Sequence, residues 1–427
     1  MSHDKPRWSP RTIAVDLTPV LPGGENGGAR IFVLELVRRL SELAPSTRFV
    51  LLTQAASHDG LAELDRSNVE RRLVVGDLVG NGLRPRLLAL AGRLLPRLPA
   101  WPRSLLSRLG YGLNRLLKRA GTGGLLGDLG AELLFCPFTA PTYWEPGVPV
   151  VSVLYDLQYR AYPEFFAAED VANREATFRD ACRRATLLVA ISEYARASTI
   201  AAADLDPVRV LTIPLRLARR LVVEPCSRAG VFDRFGLEAE GYLLYPANFW
   251  PHKNHVRLFE AFAMAREMGL PNDLKLVCTG APGARLDAIQ ESVVGFGVAD
   301  RVCFPGYVSD EALAELMSRA TGLIFPSLYE GFGLPVIEAM SLGVPVACSD
   351  RTALPEVVGD AALLFDPTEP SAIARSILVL TSDHERRASL VEAGYVRARA
   401  YADTRRMADA YWKVFREALS LDDASGR

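Results

Sequence analysis

The sequence predicts an α/β protein of two domains, each a doubly wound parallel sheet covered by helices. Three observations predict it. A chain of 427 residues that is 49% hydrophobic is too large for one compact core. Short apolar runs alternate with segments of helical period, the pattern of a parallel sheet between helix layers. The alternation lapses over residues 216–240 and then starts again. Strands are predicted at residues 13–17, 49–53, 132–136, 150–155, 187–191 and 210–214, and after the lapse at 242–247, 275–280, 302–306, 323–326 and 344–349. The domains are therefore placed at 1–215 and 241–402, with a linker at 216–240 and a C-terminal segment at 403–427. Within that last segment an amphipathic helix, 404–419, is placed to cross back onto the first domain.

Forty-nine Lys and Arg balance fifty Asp and Glu, so no global field draws the chain to nucleic acid. The six cysteines, at 136, 182, 226, 278, 303 and 348, are widely spaced and show no metal-ligand spacing with the five histidines. Free thiols in a reducing compartment fit best. The opening residues carry no apolar signal core, and no run of eighteen apolar residues occurs, so a cytoplasmic protein is expected. One segment is strongly cationic: residues 79–127 hold nine Lys and Arg, no Asp or Glu, and many leucines. Two readings are open for it. It lies on an anionic membrane surface as amphipathic helices, making the protein peripheral on the inner face of the cell membrane, or it packs on the first sheet as a helical hairpin.

The most informative stretch is LIFPSLYEGFGLPVIEAMSLGVPVACSD, residues 323–350, which reads as strand, glycine loop, helix, glycine stop and strand. Gly331 and Gly333 let the backbone approach a ligand, and Pro335 fits a first helical turn. Free amides and the helix dipole then converge where a diphosphate would sit. Glu330 precedes the loop, and Glu338 leans back toward it from one turn into the helix. The same spacing also fits an ordinary turn with a dipole-countering glutamate, and sequence alone leaves both open.

A second constellation, YPANFWPHKNH at residues 245–255, follows the first strand of the second domain, where ligands gather at the carboxyl ends of parallel strands. Lys253 there is placed to neutralise a leaving phosphate; His252 and His255 are read as capping or surface groups. Near the N-terminus Gly23, Gly24, Gly27 and Gly28 lie between the first strand and the first helix, a candidate phosphate cradle from the opposite domain.

Taken together, EGFGLPVIE with its flanks FPGYVSDEALAELMSRATGLIFPS and SDRTALPEVVGDAALLFDP resembles glycosyltransferase family 4, the retaining transferases of the GT-B fold, over most of the chain. The resemblance implies two Rossmann-like domains facing a cleft, an acceptor domain first and a donor-nucleotide domain second. It implies that Glu338 holds the nucleotide ribose, that Glu330 contacts donor-sugar hydroxyls, and that the amides of Gly331, Phe332, Gly333 and Leu334 bind sugar and diphosphate. Lys253 would stabilise the departing phosphate, Gly306, Tyr307 and Val308 would border the base, and Gly27 and Gly28 would close over the diphosphate. No metal and no cofactor is expected. GDP-mannose is the first expectation for the donor and a UDP-sugar the next; the acceptor is a saccharide or lipid-linked saccharide in surface polysaccharide assembly.

Two departures stand out. Asn248 occupies a position where many members have a phosphate-binding arginine, leaving Arg30 or Arg351 as the candidate replacement. Tyr155 precedes Asp156 where many members have histidine, so the acceptor-side role of this pair is not secured by the resemblance. A sugar-nucleotide epimerase or phosphorylase shares the architecture, and a noncatalytic sugar-nucleotide-binding scaffold is the remaining alternative.

Overall fold

A computed structural model describes residues 10–21, 27–75, 124–223, 230–281 and 285–425. Two wholly parallel sheets organise it. The first comprises β1 (Thr12–Asp16), β2 (Arg48–Gln54), β3 (Val69–Val75), β4 (Leu133–Cys136), β5 (Val150–Leu154), β6 (Leu187–Ala190) and β7 (Val210–Thr212), in the order β3-β2-β1-β4-β5-β6-β7. The second comprises β8 (Tyr242–Pro246), β9 (Lys275–Thr279), β10 (Val302–Gly306), β11 (Gly322–Phe325), β12 (Val346–Ser349) and β13 (Leu363–Phe365), in the order β10-β9-β8-β11-β12-β13. Central strands such as β1, β4, β5 and β11 are buried along their whole length, which is why they read as unbroken apolar runs.

Each sheet reverses its strand order once, between β1 and β4 in the first and between β8 and β11 in the second. The loops leaving the carboxyl ends of strands at such a reversal splay to opposite faces and open a crevice. The two crevices face one another: Leu334, just after β11, reaches Gly28, just before the body of the first helix.

Two strands escaped the sequence reading. β3 is an edge strand whose Glu70, Arg71 and Arg72 break its apolar pattern, and Glu70 pairs across to Arg48 at 2.5 Å. β13 is only three residues long. Residues 216–240 are not wholly connector either. A short helix, Val231–Phe235, lies within them, and Phe232 packs edge-on against Tyr242 of β8, so packing on the second sheet begins before residue 241. The last helix, Thr404–Ser425, outruns the expected 404–419. Its Tyr411 and Phe415 stack against Phe135 of β4 at 5.7 and 5.1 Å, and Tyr411 also meets Phe32 of the first helix. This helix therefore seals the first module although it follows the second in sequence. Of the basic segment, residues 79–123 lie outside the described residues, as do Gly23, Gly24 and Cys226.

Candidate active site

The loop after β8 tightens into a short 3-10 turn, Pro251–Lys253, and ends at Asn254 with a left-handed φ of 60°. The buried Asn254 carboxamide fixes the turn by donating to the carbonyls of Pro326 and Pro367 at 3.1 and 2.8 Å. Tyr245 donates from its hydroxyl to the Lys253 carbonyl at 2.5 Å. Thus anchored, the Lys253 ammonium projects to Glu330 Oε1 at 2.6 Å, with the two side chains only 14% and 12% exposed. Glu330 is held in turn through its amide, which donates to Thr352 Oγ1 at 3.0 Å.

After Glu330 the chain turns through Gly331 and Gly333 into the helix Leu334–Ser341. Both glycines are also required by the protein's own packing. A Cβ at Gly331 would lie 2.3 Å from the carbonyl oxygen of Tyr155 on the opposite module. Gly333 has φ +94°, and a Cβ there would meet Leu354 at 2.6 Å. What remains for a ligand is the amides. Those of Gly331, Phe332, Gly333 and Leu334 donate to no group among the described residues. The first helix, Gly27–Leu43, begins against the same place, where a Cβ on Gly28 would touch Leu334 at 3.0 Å. Two helix N-termini thus meet, and their dipoles together with the free amides of the Gly331–Leu334 turn favour an anion there.

Glu338 lies 2% exposed beneath this turn, with Arg220 donating from Nε to Oε1 at 2.8 Å. Burial pushes the Glu338 carboxyl above its ordinary value, and Arg220 works against that rise. Beyond it, Gly306 adopts φ +80° and Tyr307 stands 70% exposed, a free aromatic face at the rim, while Val308 packs on the core.

The first module contributes Asp156, whose Cβ would be 3.4 Å from a Cβ on Gly331. The protein packed around its carboxyl raises Asp156 above the ordinary range although the residue is open to the cleft; the Gln158 amide, Arg174 and Lys253 oppose the rise, and Glu330 adds to it. Asp156 also lines a cavity of about 290 Å³ shared with Phe138, Tyr159, Asp170, Asn173 and Arg174. Charged and amide groups beside aromatic faces suit a hydroxyl-rich ring. Tyr155 contributes no side chain to this site. Its ring packs edge-on against Phe32 and its hydroxyl donates to the Pro137 carbonyl at 2.8 Å, so only its backbone faces the cleft.

Other candidates are redistributed. Asn248 uses its carboxamide oxygen to accept from the Ala281 amide at 2.8 Å, tying the loops after β8 and β9 together. Arg351 pairs with Asp366 at 2.6 Å and Asp350 at 3.1 Å. Arg30, on the first turn of the first helix, has no ion pair among the described residues. His252 and His255 are neither surface nor capping groups: both are buried. Burial, then Lys253, His255 and Arg174, hold His252 down to about 2; burial and Lys253 hold His255 down to about 3. Asp170, Asn173 and Arg174, which share the cavity with Asp156, and Arg220, which is 118 residues from Glu338, were missed because each sits in a stretch of unremarkable composition outside the motifs. Among the described residues no three His, Cys, Asp or Glu side chains gather as metal ligands, and no helix is long and apolar enough to cross a membrane.

Residues 232–397, which carry the paired glutamates, Lys253 and the amide turn, match the family described as glycosyl transferases group 1. Over that stretch the chain is similar to the group 1 glycosyl transferases. The chain is 32% identical over 256 residues to the O-antigen chain mannosyltransferase B of Escherichia coli, an alignment covering 59% of this chain and 66% of that protein. It is 29% identical over 235 residues to the serotype-specific mannosyltransferase WbdA of the same organism, covering 53% of this chain and 27% of WbdA. The match thus spans just under two thirds of the first relative and about a quarter of the second. The D-inositol 3-phosphate glycosyltransferase of Salinispora tropica aligns over 96% of this chain and 85% of its own length at 27% identity. Among solved structures, Anabaena Alr3699/HepE in complex with UDP and glucose superposes with a TM-score of 0.68 at 17% identity, covering 95% of this chain and 99% of that one. The chain therefore has the GT-B fold, two Rossmann-like α/β units.

Proposed function

We propose that the protein transfers a hexose from a nucleoside-diphosphate sugar to a saccharide or lipid-linked saccharide during surface polysaccharide assembly. GDP-mannose is the first candidate donor, because the O-antigen relatives are mannosyltransferases. The observation that carries the reading is the turn of four amides, residues 331–334, that donate to no group among the described residues and lie beside two helix N-termini, directly after Glu330, which holds the Lys253 ammonium.

The donor's diphosphate lies at that point, its sugar toward Glu330 and its nucleoside toward Glu338 and Tyr307. When the bond from the anomeric carbon to phosphate oxygen breaks, negative charge grows on the diphosphate. Lys253 and the fixed amides of residues 331–334 stabilise that charge more than they stabilise the intact donor, which is what accelerates the step. The acceptor enters from the Asp156 cavity. Its hydroxyl attacks from the face the phosphate leaves, passing its proton to the leaving phosphate oxygen, so configuration is retained. The diphosphate is held by amides and ammonium without a divalent metal. The basic segment is the proposed membrane contact, weakening as salt rises.

Thermal shift against a panel of nucleoside-diphosphate sugars with EDTA present tests the reading. A true donor at ~100 times its dissociation constant adds ~2.7 kcal/mol of stability. A panel in which no sugar nucleotide raises Tm, with or without Mg²⁺, sinks it.

A further inference from the structure

The chain crossing from the first sheet to the second is stitched down before it enters the donor side. Ala218 donates its amide to the Tyr401 carbonyl at 3.0 Å, Arg216 donates to the Ala400 carbonyl, and Ser341 donates to the Ala218 carbonyl at 2.5 Å. Two residues on, Arg220 turns inward. Its Nε donates to Glu338 Oε1 at 2.8 Å and its Nη1 lies 2.6 Å from Asp310 Oδ2, with the Arg220 side chain 14% exposed.

Glu338 depends on this partner. A carboxylate out of water prefers to take up a proton, and a protonated carboxyl loses acceptor capacity. The charged groups facing Glu338 are Arg220, which favours its ionised form, and Asp310, which disfavours it. With Oε1 engaged by Arg220, Oε2 is bound by no other side chain among the described residues. Asp310 opens the helix Asp310–Ser318 directly after the Gly306–Val308 loop. One guanidinium therefore joins the carboxylate proposed for the ribose to the loop proposed for the base.

Resting on the reading that Glu338 receives the donor ribose, we propose that Arg220 is a positioning residue for the nucleoside of the donor. It keeps one carboxylate oxygen of Glu338 turned toward the ribose hydroxyls and, through Asp310, fixes the loop at the base. Arg220 touches no reacting atom, so its loss weakens donor binding without changing the chemical step.

The test measures binding of GDP-mannose and UDP-glucose to the full chain from pH 5.5 to 8.5, with turnover at saturating donor. Arg220→Ala is expected to raise Kd and donor KM ~10- to 100-fold, the loss for one hydrogen bond to a charged group, with kcat nearly unchanged. Its affinity rises with pH as the unpartnered Glu338 ionises, whereas wild-type affinity stays flat. Arg220→Lys restores the charge without the fork and recovers part of the affinity and a flatter profile. Because a lone buried carboxylate can unfold a protein, the double variant Arg220→Met with Glu338→Gln is measured too. It is expected to fold, to bind weakly and to show no pH dependence. Wild-type affinity with a flat profile in Arg220→Ala, or wild-type affinity in the double variant, overturns the proposal. A wild type that binds neither these donors nor any other sugar nucleotide overturns the transferase reading, and this proposal with it.

Discussion

Replacing Gly331 with alanine adds one methyl group at the seam between the modules. Gly331 does not have a positive φ, so alanine is tolerated by the backbone itself. The obstacle is steric: the new Cβ would lie 2.3 Å from the Tyr155 carbonyl oxygen and 3.1 Å from its carbon, where ordinary contact begins at 3.4 Å. The seam must open by about 1.1 Å, the difference between 3.4 and 2.3. Neither partner is a flexible side-chain tip, so the Tyr155–Asp156 backbone must retreat from the loop that carries Glu330. The nearby cross-module bonds move with it: Leu157 to the Tyr329 hydroxyl, and the Glu193 and Tyr194 amides to Glu356. A misplacement of ~1 Å between reacting groups costs on the order of 100-fold in rate. Gly331→Ala is therefore expected to lower kcat/KM for transfer ~100-fold. Donor binding, measured by thermal shift, should change less than the rate, since the amides of residues 331–334 stay in place within their own module while the Tyr155–Asp156 backbone retreats. Stability should fall by less than the ~1–3 kcal/mol of an overpacked core, because the modules separate to relieve the clash. Turnover within twofold of wild type would refute the argument, as would a loss of donor affinity as large as the loss of rate.

Two further outcomes are expected. Lys253→Ala should lower kcat by ~100-fold or more, as loss of one oxyanion-type donor does; near-normal turnover at saturating donor would remove Lys253 from the reaction. The buried His252 and His255 should make the fold acid-sensitive. Their folded values, about 2 and about 3, lie below the ordinary 6.5, so below pH 6.5 the unfolded chain gains protons that the folded chain refuses. Stability is then lost as pH falls, by about 2 kcal/mol per histidine at pH 5. Urea unfolding at pH 7 and pH 5 reads this, and a His255→Gln variant with an unchanged pH difference would count against it.

The sequence by itself determined the α/β class, the second sheet's five principal strands and the local chemistry of residues 245–255 and 330–338. These are properties of short windows: apolar runs bounded by turns, a glycine loop before a proline-led helix, a lysine at a strand end. It also carried the resemblance to the group 1 glycosyl transferases, through motifs whose order survives in a single chain. Only the tertiary structure decided what those windows meet. Gly331 is glycine because a carbonyl from the other module lies against it; Tyr155 serves the core; and Glu338 is held by Arg220, 118 residues away. Edge strand β3 stayed hidden because its charged residues follow solvent exposure rather than the period of a buried sheet. Local pattern records which face a segment buries, whereas the identity of the partner across a cleft depends on how two modules dock, and no periodicity in one segment encodes that.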